Sequence, residues 1–233
     1  MSRPIARHVG CALCGHVNIT TDYMSSLTLG PSDLDLRPAL MARQTTMGWV
    51  EDCEACGYCS PDLRYLSKGA AETVSGFAYQ MMFTGDSLPG SRFRRLAMLA
   101  EADQDRPLAG LAWRSAAWAA DDRGEPDLAR RWRLAAAERL SRSRNVEWAG
   151  CDRIAAHLAL ADLWRRAGAW DKARRAAARG KRLKGGNETL TRALAFEIEL
   201  AGRRDDQTYR FGDWDETARR KTRPELRGLP VDL

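Results

Sequence analysis

The sequence lacks the features that mark membrane proteins and the commonest enzymes. It contains no run of eighteen apolar residues, although a helix needs about twenty to cross a bilayer, so we expect no membrane span. It has three histidines, no Gly-x-Ser-x-Gly turn, no phosphate-binding loop and no dinucleotide-binding glycine pattern. Because no nucleophile and base stand out together, we expect a protein that is not an enzyme.

Composition favours a cytoplasmic protein with a buried core. The chain has 233 residues, of which 44% are hydrophobic and 29% charged, and its formal net charge is +6. The start, MSRPIARHVG, has no apolar run of the kind found in a secretory signal. In the cytoplasm thiols stay reduced, so clustered cysteines indicate a bound metal more often than disulfides.

Four of the six cysteines form two Cys-x-x-Cys-Gly motifs, CALCG at 11–15 and CEACG at 53–57. Two intervening residues let both sulfurs face one ion, and the glycine tolerates the left-handed backbone that follows. The motifs predict one Zn²⁺ held by Cys11, Cys14, Cys53 and Cys56. Four protein ligands leave no open position, so this zinc is expected to be structural. We then expect chelation to unfold residues 1–60 and to spare the rest.

The fifth cysteine introduces an alternative. Cys53, Cys56 and Cys59 follow a Cys-x2-Cys-x2-Cys pattern that resembles the start of bacterial iron–sulfur motifs. The next expected cysteine is replaced by Leu63. An iron–sulfur cluster is therefore the minor alternative to zinc, and Cys59 is interpreted as a spare thiol at the edge of the ribbon.

Other polar residues near the motifs are auxiliary candidates. Asp33 and Asp35 are candidates for an acid pair or a second metal site, although such residues more often cap turns and Arg37 can neutralise one of them. His8 and His16 are candidates to replace a cysteine as a metal ligand, or to contact the ligands without binding the ion.

Helical periodicity follows the second motif. Ser60-Pro61-Asp62 has the serine, proline and acid typical of a helix start. Helices are expected to continue to about residue 204, with short links that favour antiparallel neighbours. The clearest segments are 91–104, 107–122, 125–142, 146–167, 170–184 and 187–203. The sequence thus predicts a zinc ribbon at 1–60, a helical domain at 61–204 and an extended or partly disordered tail at 205–233.

Residues 157–183 resemble a tetratricopeptide repeat. The matching large and small residues are Leu160, Ala161, Trp164, Gly168, Trp170 and Ala173. Residues 112–140 keep Gly124, Ala129 and Ala136 at matching offsets, but Gly124 and Gly168 are 44 residues apart rather than the usual 34. The predicted fold class is mainly α, a degenerate tetratricopeptide-like array of antiparallel helical hairpins with a small N-terminal β zinc-ribbon domain.

A basic stretch, 165–186, contains nine bases and one acid. Lys172, Arg175, Arg179 and Arg182 recur at helical spacing, so they form one positive face opposite a packing face. The face is interpreted as a solvated surface, a contact for a nucleic-acid backbone, or a site for an acidic protein partner.

The order of these motifs resembles a bacterial family of unknown function. Its members join an N-terminal zinc ribbon to tetratricopeptide-like helices, and the likeness rests on CxxCG, SDLDLRP at 32–38 and WVEDCEACGY. The resemblance implies zinc at the four cysteines and implies no activity. The predicted function is a non-catalytic zinc-binding scaffold that binds another protein. The alternatives are a nucleic-acid-associated regulatory protein using 165–186 and an iron–sulfur or redox protein.

Overall fold

A computed structural model of the chain describes residues 4–23, 30–85, 87–143 and 152–215. Its β structure consists of two small antiparallel pairs. Strand β1 (Pro4–Gly10) pairs with β2 (Val17–Tyr23), and β3 (Glu51–Asp52) pairs with β4 (Cys59–Ser60). Each pair flanks one Cys-x-x-Cys-Gly motif, so each motif is the turn of a hairpin.

The remainder of the described chain is mainly helical, which confirms the predicted class at that level. A 3-10 helix spans Leu40–Trp49. The α-helices are α1 (Ala70–Ser75), α2 (Phe77–Thr84), α3 (Ser91–Ala102), α4 (Arg106–Asp122), α5 (Pro126–Ser141), α6 (Arg153–Arg166), α7 (Trp170–Arg182) and α8 (Glu188–Gly202). The start of the segment predicted at 146–167 lies outside the described residues.

Short glycine turns fold the long helices back on one another. Gly124, between α4 and α5, and Gly168, between α6 and α7, have φ angles of +69° and +78°, in the left-handed region that favours glycine. Helix α4 packs on α5, α6 on α7, and α7 on α8. Side chains of Asp105, Asp152 and Asn187 cap α4, α6 and α8 by accepting hydrogen bonds from the first-turn amides.

The helix predicted to start at Ser60 does not start there. Ser60 lies in β4 opposite Glu51, and its hydroxyl accepts a hydrogen bond from the backbone amide of Asp62 at 3.2 Å. The carboxylate of Asp62 in turn accepts from the backbone amide of Arg64 at 3.0 Å. These side chains stabilise consecutive turns instead of capping a helix, because serine and aspartate bond local amides equally well in both settings. The first α-helix begins at Ala70.

The core does not divide at residue 60. One buried cluster joins Cys11, Cys53 and Tyr58 of the two hairpins to Phe93 and Leu96 of α3, and also includes parts of α1, α4 and α5. A second cluster joins α5, α6, α7 and α8 and includes Leu34, which lies between the two cysteine motifs in sequence. The two cysteine hairpins and the segment between them therefore share apolar cores with the helices.

Residues 205–215 pack against this body, although the tail was expected to be extended or partly disordered. The backbone amide of Leu34 donates to the carbonyl oxygen of Tyr209 at 3.0 Å, and that of Phe211 donates to Ser32 at 3.0 Å. Tyr209 also contacts Phe196 of α8 edge to face, with ring centroids 5.1 Å apart. Aromatic residues in a charged segment thus anchor it. Residues 216–233 lie outside the described residues.

Within the described ranges, no helix is both long and apolar enough to span a membrane.

Candidate metal centre and neighbouring sites

The four cysteines of the two motifs come together at the geometry of one tetrahedral ion. The sulfurs of Cys11 and Cys56 are 3.8 Å apart, those of Cys14 and Cys53 are 3.6 Å apart, and all four lie within 4.8 Å of one another. A zinc–sulfur bond of about 2.3 Å places the corners of a tetrahedron about 3.8 Å apart. The donor set therefore fits a single thiolate-bound metal ion such as zinc.

The two motifs have the same backbone conformation. In the first, the amide of Gly15 donates to the carbonyl oxygen of Cys11 at 2.8 Å; in the second, the amide of Gly57 donates to Cys53 at 2.8 Å. The φ angles of Gly15 and Gly57 are +77° and +78°. Each glycine ends a turn that aims two sulfurs at a common point, as the spacing predicts.

Electrostatics prepare the thiols unequally for metal binding. Burial raises the pKa of the Cys11 and Cys56 thiols. Burial acts in the same direction on Cys53, but hydrogen bonds from the backbone of Cys56 and Ala55 and from Asn18 lower its pKa to about 7. The thiolate is the metal-binding form, so Cys53 ionises more readily near neutral pH than Cys11 or Cys56 does.

Asn18 links the two motifs. Its side-chain oxygen accepts a hydrogen bond from the backbone amide of Glu54 at 3.0 Å, and its amide nitrogen donates to the carbonyl oxygen of His16 at 3.2 Å. The imidazole of His16 lies 2.9 Å from the carboxylate of Glu54, on the outside of the motifs. Sequence reasoning missed Asn18, because nothing in its local pattern separates it from any strand asparagine.

Cys59 lies in the core rather than at an edge of the ribbon. Its sulfur is 3.3 Å from the hydroxyl of Tyr79 and 3.5 Å from the carbonyl oxygen of Arg92, and it does not belong to the four-sulfur group. Burial raises the pKa of this thiol to about 11, which keeps it protonated. The pattern of Cys53, Cys56 and Cys59 is therefore not assembled as one ligand set.

Side chains of helices α2 and α3 bond the backbone and the flanking residue of the second motif. Arg95 of α3 donates to the carbonyl oxygen of Gly57 and, at 3.0 Å, to the carboxylate of Asp52. Arg92 forms a second ion pair with Asp52 at 2.6 Å. Tyr79 of α2 donates its hydroxyl to Gly57 at 2.9 Å. These contacts fix the turn from outside the metal shell, and no local sequence signal distinguishes the two arginines from the others.

Asp33 and Asp35 lie among arginines. Asp33 pairs with Arg43 at 2.9 Å, while burial and the charge of Asp35 raise its pKa to about 6. Asp35 is fully buried, accepts a hydrogen bond from the indole of Trp118 at 2.7 Å and faces Arg166 at 3.5 Å. Among the described His, Cys, Asp and Glu residues, only the four cysteines are grouped closely enough to hold an ion.

The basic stretch is divided by the fold. Arg165 is completely buried and bonds Glu197 and Asp162, and Arg166 is also largely buried beside Asp35. Arg175 and Arg179 line a groove between helices α5, α6 and α7. The residues around this groove of about 350 Å³ are Glu138, Leu140, Ser141, Arg142, His157, Leu160, Trp164, Lys172, Arg175, Ala176 and Arg179. Arg182, the fourth member of the predicted face, is not part of that lining.

No family model, curated protein or solved structure matches this chain. The likeness to the bacterial zinc-ribbon family therefore stays a resemblance of motifs within residues 11–58.

Proposed function

We propose that this chain is a non-catalytic binding protein in which a structural zinc ion fixes a ribbon to a helical array, and the array binds another protein. The observation that carries the proposal is the closed set of four sulfurs around one point. A catalytic zinc keeps a position for water, whereas four cysteine ligands fill the coordination shell.

The proposed metal is Zn²⁺, bound by Cys11, Cys14, Cys53 and Cys56. A tetrahedral set of four thiolates suits zinc and also iron. Edges of 3.6 and 3.8 Å correspond to sulfurs on one shared ion, while a cluster of several irons distributes its thiolates over separate metal atoms. A colourless purified protein with one zinc per chain supports this assignment. A brown protein containing iron and labile sulfide would establish the redox alternative instead.

Packing supports a structural role for the ion. The cluster that contains Cys11 and Cys53 continues into α3 through Phe93 and Leu96. An ion in this position would hold in place the apolar side chains against which helix α3 packs. Metal binding then contributes to folding directly, as it does in small domains whose metal site is absent from the unfolded chain.

The helical part is proposed to act as a tetratricopeptide-like scaffold. Successive helices of similar length fold back at Gly124 and Gly168, and arrays of such hairpins present concave surfaces to partners. The groove between α5, α6 and α7 is such a concave surface.

Affinity capture of the metal-loaded protein from its native host, followed by reconstitution with the purified candidate, tests this proposal. We expect one protein to be retained in a fixed ratio and to bind again when both are pure. Recovery of no such protein, or a catalytic turnover that disappears in Cys53→Ser, would overturn it.

Nucleic-acid binding is the second candidate, supported by exposed cations on α7. Arg175, Arg179, Lys181 and Arg182 are all exposed, so a phosphate backbone could approach them. The burial of Arg165 and Arg166 shortens this track. Steeply salt-dependent binding to single- or double-stranded DNA or RNA would favour this candidate over the first.

A further inference from the structure

The floor of the groove between α5, α6 and α7 is apolar. Leu140 of α5, Leu160 and Trp164 of α6, and Ala176 of α7 are all buried, and they form one continuous patch at the base of the groove. The volume of about 350 Å³ is in the range of sites that enclose a few side chains of a ligand.

The rim of the groove is cationic, and most of its cations are not neutralised within the described part of the chain. Arg142, Arg175 and Arg179 form no ion pair with any described residue, whereas Arg174 on the other side of α7 is paired with Asp171 at 2.5 Å. Lys172 lies 4.3 Å above the ring of Trp164. Among the described residues of the lining, Glu138 is the single acid, so these residues together carry a net positive charge.

A histidine with an unused polar atom lies between floor and rim. His157 is only 9% exposed, and its Nδ1 atom has no hydrogen-bond partner among the described residues. Burial, followed by the charges of Arg179 and Arg153, lowers the pKa of this imidazole, so it is neutral at pH 7. A neutral imidazole can carry its proton on Nδ1 and donate it to a bound oxygen. A buried polar group without a partner is unfavourable unless a ligand supplies one.

We infer that this groove binds an acidic peptide segment of the partner protein, with a carboxylate between Arg175, Arg179 and His157 and an apolar side chain on Trp164. This inference rests on the proposed function, because it names the chemistry of the partner at one surface of the array.

A peptide fits these features better than a nucleic acid does. The cations that have no ion pair among the described residues lie around a groove rather than along an extended track, as a nucleic-acid backbone would need. The buried floor matches aliphatic or aromatic side chains, which an acidic peptide can alternate with its carboxylates. Salt bridges at the rim would then set specificity, and apolar contact with the floor of the groove would add to the affinity.

Fluorescence anisotropy of the full-length, metal-loaded protein provides the test. The probe is a short labelled peptide in which aspartate and glutamate alternate with leucine and phenylalanine. Its control has asparagine and glutamine at the acidic positions. The double variant Arg175→Glu/Arg179→Glu is compared with Lys181→Glu/Arg182→Glu, which makes the same charge change on the same helix away from the groove. Circular dichroism and metal content establish that both variants fold.

We expect the acidic peptide to bind the wild type and the Lys181→Glu/Arg182→Glu variant within about threefold of each other, and the groove variant at least about tenfold more weakly. The amide peptide should bind poorly to all three. Equal weakening in both variants, equal binding of the amide peptide, or stronger binding of a single-stranded DNA probe of the same charge would overturn the inference.

Partner capture separates this inference from the proposed function. If the groove variant still retains the host protein that the wild type retains, the groove is not the docking site, although the scaffold function stands. If the wild type retains no protein while the peptide still binds in the groove, the scaffold function fails and the groove takes acidic ligands for another reason.

Discussion

Arg95 of helix α3 donates a hydrogen bond to the carbonyl oxygen of Gly57, the last residue of the second cysteine motif. The same guanidinium pairs with Asp52 at 3.0 Å, one residue before the motif begins. One helical side chain therefore holds both ends of the turn that presents Cys53 and Cys56. The turn with the second pair of cysteines is thus joined to helix α3 by a hydrogen bond and an ion pair.

Gly15 and Gly57 occupy the same position in the two motifs, so substitutions at the two sites can be compared directly. Both have left-handed backbones, at φ angles of +77° and +78°. A Cβ at Gly15 would meet no atom within 4 Å, but one at Gly57 would lie 2.6 Å from the ring of Phe83. Gly15→Ala should lower the unfolding free energy by about 1–2 kcal/mol, which is the cost of the left-handed backbone alone. Gly57→Ala should lose about 1–3 kcal/mol more through the clash with Phe83. Urea unfolding of the metal-loaded variants measures both, and equal losses would contradict the predicted packing of Phe83.

Substitutions at Cys59 and at Cys56 should have different effects on the metal content of the protein. Cys59→Ala is expected to keep one metal per chain and to lose about 1–2 kcal/mol of stability, because it removes a buried side chain and its contact with Tyr79. Cys56→Ser should lose the metal at the same total metal concentration. Elemental analysis after dialysis against a weak chelator measures the ratio. Metal loss in Cys59→Ala would show that Cys59 takes part in ligation.

Metal removal should affect helices as well as the ribbon. The shared cluster and the contacts of Arg95 and Tyr79 with Gly57 extend from the ligand turns into α2 and α3, so we expect chelation to expose amides in residues 4–23, 51–60 and α1–α3. Helices α6–α8 pack in the other cluster and should remain protected. Hydrogen exchange read by mass spectrometry resolves these regions. Unchanged protection in α3 after verified metal removal would instead support the sequence-based expectation that only residues 1–60 unfold.

Glu197 should make stability depend on pH. Burial, together with the charge of Asp162, raises its pKa from 4.5 to about 8, although the ion pair with Arg165 opposes the shift. Between these two values the folded chain holds a proton that the unfolded chain has released, so the unfolding free energy falls as the pH rises. Glu197→Gln cannot titrate, and its amide oxygen can still accept from Arg165. We expect a flatter pH dependence in this variant.

Urea unfolding of wild type and Glu197→Gln between about pH 6.5 and 8.5 provides the comparison, because more acidic buffers protonate the metal-binding thiolates. The wild type should lose stability across this range faster than the variant. Parallel curves would show that Glu197 is already ionised in the folded protein at pH 6.5.

The local features of this fold were predictable, and its long-range contacts were not. Cysteine spacing predicted which four cysteines the fold brings together, because two motifs with the same local turn need only one meeting point. The breaks at Gly124 and Gly168 were visible because a left-handed turn leaves few alternatives to glycine. By contrast, Ser60-Pro61-Asp62 failed as a helix start, since the same side-chain hydrogen bonds stabilise turns.

The buried charge network shows why the remainder was hidden. Asp35 bonds Trp118, which is 83 residues away in sequence, and Arg165 bonds Glu197, 32 residues away. Such long-range pairs leave no periodic pattern or motif in the sequence. Each buried arginine therefore cannot be distinguished from a surface arginine by sequence alone. The interpretation of 165–186 as a basic surface therefore counted two arginines, Arg165 and Arg166, that the fold buries.

The passage of residues 32–37 between the cysteine motifs has a consequence for how the protein assembles. The chain leaves the first motif, packs Leu34 against α5–α8 and pairs with residues 209 and 211 before it returns to the second motif. An ion held by the four cysteines would close a loop of about forty residues, and loop closure is entropically less unfavourable when the loop is already tethered elsewhere. During synthesis all four cysteines emerge long before residues 209–211, so the segment between the motifs gains this second tether late. A metal ion bound by the four cysteines would therefore hold this loop closed before its contacts with residues 209–211 form.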